Sequence, residues 1–347
     1  LYTVGNNKLN EIDFVLDKET NIKSYSSQEP FKIASRFVDN YPRLYILKKN
    51  DTGLEEYLIN NQASVFYAQE SVDPYDIFIS ESGKVYTSFS LGSNIDTNGE
   101  LNILTPEENT GDASVATFDF QLFNNLKGIG LNESNLYLYC ANYESNLIVV
   151  LDKQEGFEPL SLISLSSSPK EITYSNFTKL IYCLTEDSLI IIRELDIIKT
   201  INLNKSNPTR VLIDDDLGFI LVGFASGELD ILNEEGDLIQ TIFSQVGSIK
   251  KLLITYERGK ELLIGGDNGI LSCIVLESNQ SFSKDNQEDI YEIKALDKER
   301  ASVISSNINY IAIGYNSGHY EFYNSDFSSK LSESKLDGEI KIIESFE

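Results

Sequence analysis

Short apolar runs separated by turns of Gly, Asn, Asp or Ser recur along this chain about every 40 to 50 residues. Three copies stand out, at 219–232, 262–276 and 310–323, and they turn on Gly227, Gly269 and Gly318, which lie 42 and 49 residues apart. Within them, runs such as Phe219-Ile220-Leu221-Val222 are unbroken, as is Leu189-Ile190-Ile191-Ile192 upstream. A half-exposed strand alternates apolar with polar residues, so an unbroken run predicts a strand covered on both faces. Glycine and asparagine at the turns supply the positive φ of a tight hairpin. Helical spacing is weak throughout.

Less regular copies precede these, at 1–14, 44–59, 85–104, 136–151 and 180–192, which makes eight hairpins. A third strand follows each hairpin, as in Leu238 to Phe243, and then a fourth opens the next unit, as in Ile249 to Ile254. Four antiparallel strands per unit predict an all-β, closed β-propeller. With 347 residues, eight blades give roughly 43 residues each, the usual repeat length, with seven blades as the alternative. The strand signal at Ile340 to Phe346 is expected to join the N-terminal hairpin and close the ring, removing exposed sheet edges. No linker or composition shift interrupts the repeat, so residues 1–347 are expected to be one domain. Segments 277–288 and 105–113 read as surface loops.

Charge changes the picture next. With 28 basic and 54 acidic side chains the net charge is −26, a surface that repels nucleic acid backbones and anionic membranes. Duplex nucleic acid is therefore not expected as a direct ligand, whereas a basic protein partner would be attracted and steered. Acidic loops that only maintain solubility are the plainer reading. No apolar segment reaches the ~20 residues that span a bilayer. Methionine is absent, which leaves open that the chain is a fragment of a longer protein.

The basic residues gather near the starts of the inferred innermost strands: Lys32, Lys127, Lys170, Arg210, Lys250, Arg300 and Lys341, with Asp76 in the remaining unit. In a propeller these strands line the central channel, so the seven positions predict a basic ring at one mouth that could hold a phosphorylated or acidic peptide. Alternatively, they are exposed charges that begin strands and pair with acidic loops. A second candidate surface is a rim of aromatics beside the hairpin turns, namely Tyr143, Phe224 and Tyr315.

Catalytic motifs are missing. His319 is the single histidine, so neither a His-rich metal site nor paired-imidazole chemistry is expected, and no Gly-x-Ser-x-Gly elbow accompanies it. The acidic runs at 96–100 and 214–216 lack a twelve-residue calcium loop. Cys140, Cys183 and Cys273 each sit inside an apolar strand without ligand spacing and read as small buried hydrophobes. We expect no metal and no cofactor.

The copies Gly-Phe-Ala-Ser-Gly-Glu-Leu-Asp-Ile-Leu and Gly-Gly-Asp-Asn-Gly-Ile-Leu-Ser-Cys-Ile-Val resemble the middle strands of divergent WD40-like repeats, over nearly the whole chain. No Trp-Asp dipeptide ends a repeat and no Gly-His opens one, so the usual Asp-His-Ser/Thr-Trp network is absent. The resemblance implies a non-enzymatic scaffold for protein complexes in cytoplasm or nucleus, binding partner proteins or peptides through one face and the channel mouth. Two alternatives stand beside it: an extracellular or surface binding propeller, and a propeller enzyme such as a lactone hydrolase or a quinone-dependent dehydrogenase. Zero tryptophan argues against the quinone enzymes, and a single histidine against most hydrolases.

Overall fold

The computed structural model of the protein describes the strands named in this section, residues 137–255 except 245, and positions 84, 123, 267, 268 and 317. The chain falls into two compact units, 1–172 and 173–345, with the boundary inside a strand. Cys273 and the basic positions Lys32 and Lys127 lie in described strands, but their side chains are outside the described set, and Arg300, Lys341 and the expected loop 277–288 are outside it entirely.

The first unit opens with β1 (Tyr2–Gly5), β2 (Lys8–Asp13) and β3 (Lys18–Ser24), paired in chain order. Three four-stranded antiparallel meanders come next. They are β4 (Glu29–Val38), β5 (Tyr41–Lys49), β6 (Leu54–Leu58) and β7 (Ala63–Tyr67); β8 (Asp73–Ile79), β9 (Val85–Ser90), β10 (Glu100–Pro106) and β11 (Ala113–Asp119); and β12 (Leu126–Leu131), β13 (Tyr137–Asn142), β14 (Leu147–Asp152) and β15 (Glu158–Ser164). First strands are neighbours, β4 beside β8 and β8 beside β12. The core lies between sheets: Tyr86, Leu101 and Ile103 of one pack with Leu126, Leu138, Cys140 and Val149 of the next.

The second unit repeats the arrangement. Its meanders are β16 (Glu171–Tyr174), β17 (Ile181–Leu184), β18 (Ser188–Arg193) and β19 (Asp196–Asn202); β20 (Pro208–Asp214), β21 (Phe219–Phe224), β22 (Glu228–Leu232) and β23 (Leu238–Phe243); β24 (Ile249–Thr255), β25 (Lys260–Gly266), β26 (Leu271–Leu276) and β27 (Ile290–Ile293); and β28 (Ala301–Ser306), β29 (Tyr310–Tyr315), β30 (His319–Asn324) and β31 (Lys330–Lys335), before β32 (Ile342–Glu344). Here β20 lies beside β24 and β24 beside β28. Tyr182, Leu184, Leu189 and Ile191 pack against Val211, Ile220, Val222 and Phe224 of the following sheet. Covering both faces of the two middle strands in this way is what the unbroken apolar runs require, and each fully buried Leu or Ile contributes roughly 1.5–3 kcal/mol. The outermost strand β19 is exposed along nearly its whole length.

The β21–β22 turn shows why glycine sits there. Gly227 has φ +86°, and a Cβ on it would lie 2.8 Å from the Gly247 carbonyl oxygen. That approach is close because the Gly227 carbonyl in turn accepts both the Ser244 N–H, at 3.1 Å, and the Ser244 hydroxyl, at 2.6 Å. Four-stranded antiparallel meanders whose first strands stand side by side are the blades of a β-propeller, as the repeat predicts.

Candidate functional site

The innermost strands carry a feature that alternation does not reveal. In six of them the ladder to the second strand skips one residue: Phe31 in β4, Tyr75 in β8, Lys127 in β12, Thr209 in β20, Lys250 in β24 and Ser302 in β28. A β-bulge adds an unpaired residue and re-aims the side chains after it. Aligned on the bulge, the basic positions separate into two sets. Lys127 and Lys250 are bulge residues, whereas Lys32 and Arg210 come one residue later, a place held elsewhere by Asp76, Gly128, Lys251 and Val303. Arg300 stands two residues before its bulge, and Lys170 immediately precedes β16.

Two of the basic side chains are engaged inside the fold. The Arg210 guanidinium donates from Nε to the Lys250 carbonyl oxygen at 2.7 Å and from Nη1 to the Thr209 carbonyl oxygen at 2.8 Å. Both acceptors belong to bulge residues of adjacent first strands, so Arg210 satisfies carbonyls that the ladder has released. The Lys250 ammonium lies 3.5 Å from the Asp267 carboxylate, both groups about a third exposed, which makes the pair a weak, screened one.

The same register separates the three aromatics expected at a rim. Phe224 and Tyr315 occupy one equivalent position, opposite Pro208 and Ala301 just before the bulge, and both rings are fully buried. Tyr143 falls one residue beyond the corresponding Asn142 and is half-buried. One residue of slip in a strand turns the side chain to the other face, which is why like-looking turns hold unlike aromatics.

Two buried carboxylates were missed in the sequence. Asp230 in β22 and Glu321 in β30 each stand three residues after a turn glycine, 6% and 1% exposed. Asp230 accepts the Thr241 hydroxyl at 2.6 Å and a close ammonium bond from Lys205, which also reaches Thr241 Oγ1 at 2.9 Å, Glu228 at 3.5 Å and the face of the Phe224 ring at 5.4 Å. Glu321 accepts the Tyr315 hydroxyl at 2.5 Å, the Tyr323 hydroxyl at 3.2 Å and the Lys330 ammonium at 2.7 Å, and Lys330 continues to Glu333 at 2.6 Å. Burial, and then the Glu321 charge, push the Tyr323 phenol up to about 12. The bonds to Glu321 and Glu333 raise Lys330 above its ordinary value and so hold its proton. An acid directly flanked by two large apolar side chains, as in Leu229-Asp230-Ile231 and Tyr320-Glu321-Phe322, was the available signal.

Cys140 and Cys183 are buried free thiols, both pushed up by burial, Cys183 to about 12, and so are inert as nucleophiles. Among the described residues no group of His, Cys, Asp and Glu is placed to hold a metal ion, and no helix is long and apolar enough to cross a membrane.

These blades define the protein as a β-propeller by fold. No family model matches the chain, and no curated protein matches its sequence. Solved structures do. The β-propeller domain of Cps50 (Swd1) from Myceliophteria thermophila is 13% identical with a TM-score of 0.58, over 80% of this chain and 91% of that one. The dihydro-heme d1 dehydrogenase NirN is 10% identical with a TM-score of 0.73, over 97% and 72%. The hydrazine synthase of Kuenenia stuttgartiensis is 13% identical with a TM-score of 0.55, over 75% and 79%. At such identities the likeness is one of fold. It also corrects the expectation that the chain is no enzyme: a dehydrogenase and a synthase share this architecture, so the step from blades to a non-catalytic role does not hold.

Proposed function

We propose that the chain is a protein-interaction scaffold that offers partners the outer surface of its blades. The observation that carries this reading is the set of large apolar side chains left in solvent, on the outermost strands β23 and β31 and in the β16–β17 turn. Phe243 is 72% exposed, Phe177 58%, Leu331 57% and Leu238 54%, on a chain of net charge −26. Exposed apolar surface set among charges is the usual make-up of an interface, with an apolar centre and a polar rim. The reading favours protein partners in cytoplasm or nucleus, where buried free thiols such as Cys140 and Cys183 remain reduced. It takes residues 1–347 as one domain.

Arg210 and Lys250 bear on the channel-mouth expectation. With the guanidinium bonded to two carbonyls and the ammonium beside Asp267, an acidic peptide would have to displace existing partners there, so the outer surface is the better supported site.

Affinity purification of the tagged chain from its source, followed by sizing of what is recovered, tests the proposal. A stoichiometric complex with another protein is expected. A chain that migrates alone under gentle extraction in each compartment would overturn it.

A further inference from the structure

The hairpin turns of two neighbouring sheets, β16–β19 and β20–β23, come together at one rim. Asp215, in the β20–β21 turn, accepts the Ser175 hydroxyl at 2.5 Å, the Asn176 N–H at 3.1 Å and the Phe177 N–H at 3.4 Å, so the β16–β17 turn is tied to it. Phe177 is thereby held with its ring 58% exposed. Asp215 and Glu234 both bear on the Tyr182 phenol, which is bonded to Thr178 at 3.2 Å and raised by burial first and by these charges after it. The outer strands meet at the same place: the Lys199 ammonium bonds the Glu235 carbonyl, and Gly236 lies so close to Ile201 that a Cβ would collide with it.

Around this rim the exposed apolar side chains are Phe177, Ile197 at 40%, Ile198 at 44%, Leu238 at 54% and Ile239 at 40%. The charges beside them are of one sign on the β20–β23 side. Between Val211 and Ile249 the chain carries eight carboxylates and no lysine or arginine. Of these, Asp216, Glu234, Glu235 and Asp237 stand in the turns that flank β21 and β23, and Glu234 and Glu235 are exposed, a few residues before the exposed Leu238 and Ile239. On the β16–β19 side the exposed cations are Lys179, two residues after Phe177, Arg193, which Glu194 and Asp196 accompany, and Lys199, whose ammonium bonds the Glu235 backbone carbonyl.

We propose that this rim is a docking surface for a cationic protein segment that alternates Lys or Arg with apolar side chains. The idea rests on the scaffold reading and gives it a place and a partner chemistry. An anionic segment, nucleic acid or anionic membrane would be repelled by the excess of carboxylates on the β20–β23 side, and a purely polar cationic tail would leave Phe177, Leu238 and Ile239 in water. Because the turns are tied to one another before any partner arrives, the surface needs little ordering on binding.

The test uses the full chain and a short fluorescein-labelled peptide of lysines, leucines and phenylalanines, followed by anisotropy at low and physiological salt. Binding that weakens about tenfold as salt rises is expected from screened charges. The double variants Glu234→Lys with Asp237→Lys, and Leu238→Ser with Ile239→Ser, should each weaken it about tenfold or more, while Leu160→Ser with Leu162→Ser in β15 leaves it unchanged. Unaltered circular dichroism and melting temperature certify that each variant folds. Equal binding of a peptide with glutamate in place of lysine, or of the wild type and both rim variants, would overturn the proposal. The scaffold reading is judged separately: if the rim variants still recover the stoichiometric natural partner, this surface is wrong and the scaffold stands.

Discussion

The sheets β20–β23 and β28–β31 bury an acid at the same place and satisfy it by different means. Asp230 and Glu321 come after their turn glycines by the same spacing, and the aromatics that end the second strands, Phe224 and Tyr315, are equivalent. Asp230 takes its cation from Lys205, on the connection that precedes β20, and one hydroxyl from Thr241, while Phe224 offers only a ring face to that ammonium. Glu321 takes its cation from Lys330, on its own edge strand, and gains two phenolic hydroxyls. A buried carboxylate must be paired and hydrogen-bonded, but the fold accepts any lysine that reaches it. What differs is the piece each pair fastens: a connection in one sheet, an edge in the other.

Removing each acid breaks that symmetry most strongly. Glu321→Ala removes the acceptor of the Tyr315 and Tyr323 hydroxyls and leaves Lys330 only the exposed Glu333, and should destabilise the fold by about 3–5 kcal/mol in urea denaturation. Asp230→Ala should cost about 2–3 kcal/mol, because Lys205 retains Glu228 and the Phe224 ring. If the order of the two losses were reversed, the hydroxyls would not be what distinguishes the sites.

Tyr315→Phe makes the second sheet resemble the first and should cost about 1.5 kcal/mol, the lower end for a hydrogen bond to a charged group. The smallest effect is confined to alkaline pH. Tyr323 is raised from an ordinary value near 10 to about 12, so its contribution is intact below pH 10 and falls as pH rises through 12, when the unfolded chain ionises first. Lys330, also raised, loses its contribution in the same direction. Denaturation midpoints measured on both sides of pH 10 should therefore drop less in Tyr323→Phe than in the wild type, and an equal drop would remove Tyr323 from the account.

The blades were legible because burial on both faces writes itself as unbroken apolar runs. The hairpin expected over 219–232 is β21 and β22, and the strand expected from Leu238 to Phe243 is β23. The bulges were not legible, since an extra residue in a short strand looks like imperfect alternation. That single concealed residue parts Lys127 and Lys250 from Lys32 and Arg210, and it also hid that Phe224 and Tyr315 are equivalent while Tyr143 is not. Asp230 and Glu321 could be seen as acids between apolar neighbours, but the lysines that answer them come from different directions, at 25 and 9 residues' distance, and only the folded chain brings them near.

The position of Lys205 decides what can be moved as a module. A segment copied from Pro208 through Phe243 would arrive in a new setting with Asp230 buried and its cation left behind, so the portable unit has to begin upstream, within the connection. The segment from Ala301 through Lys335 carries acid, phenols and lysine together and can be grafted or duplicated whole.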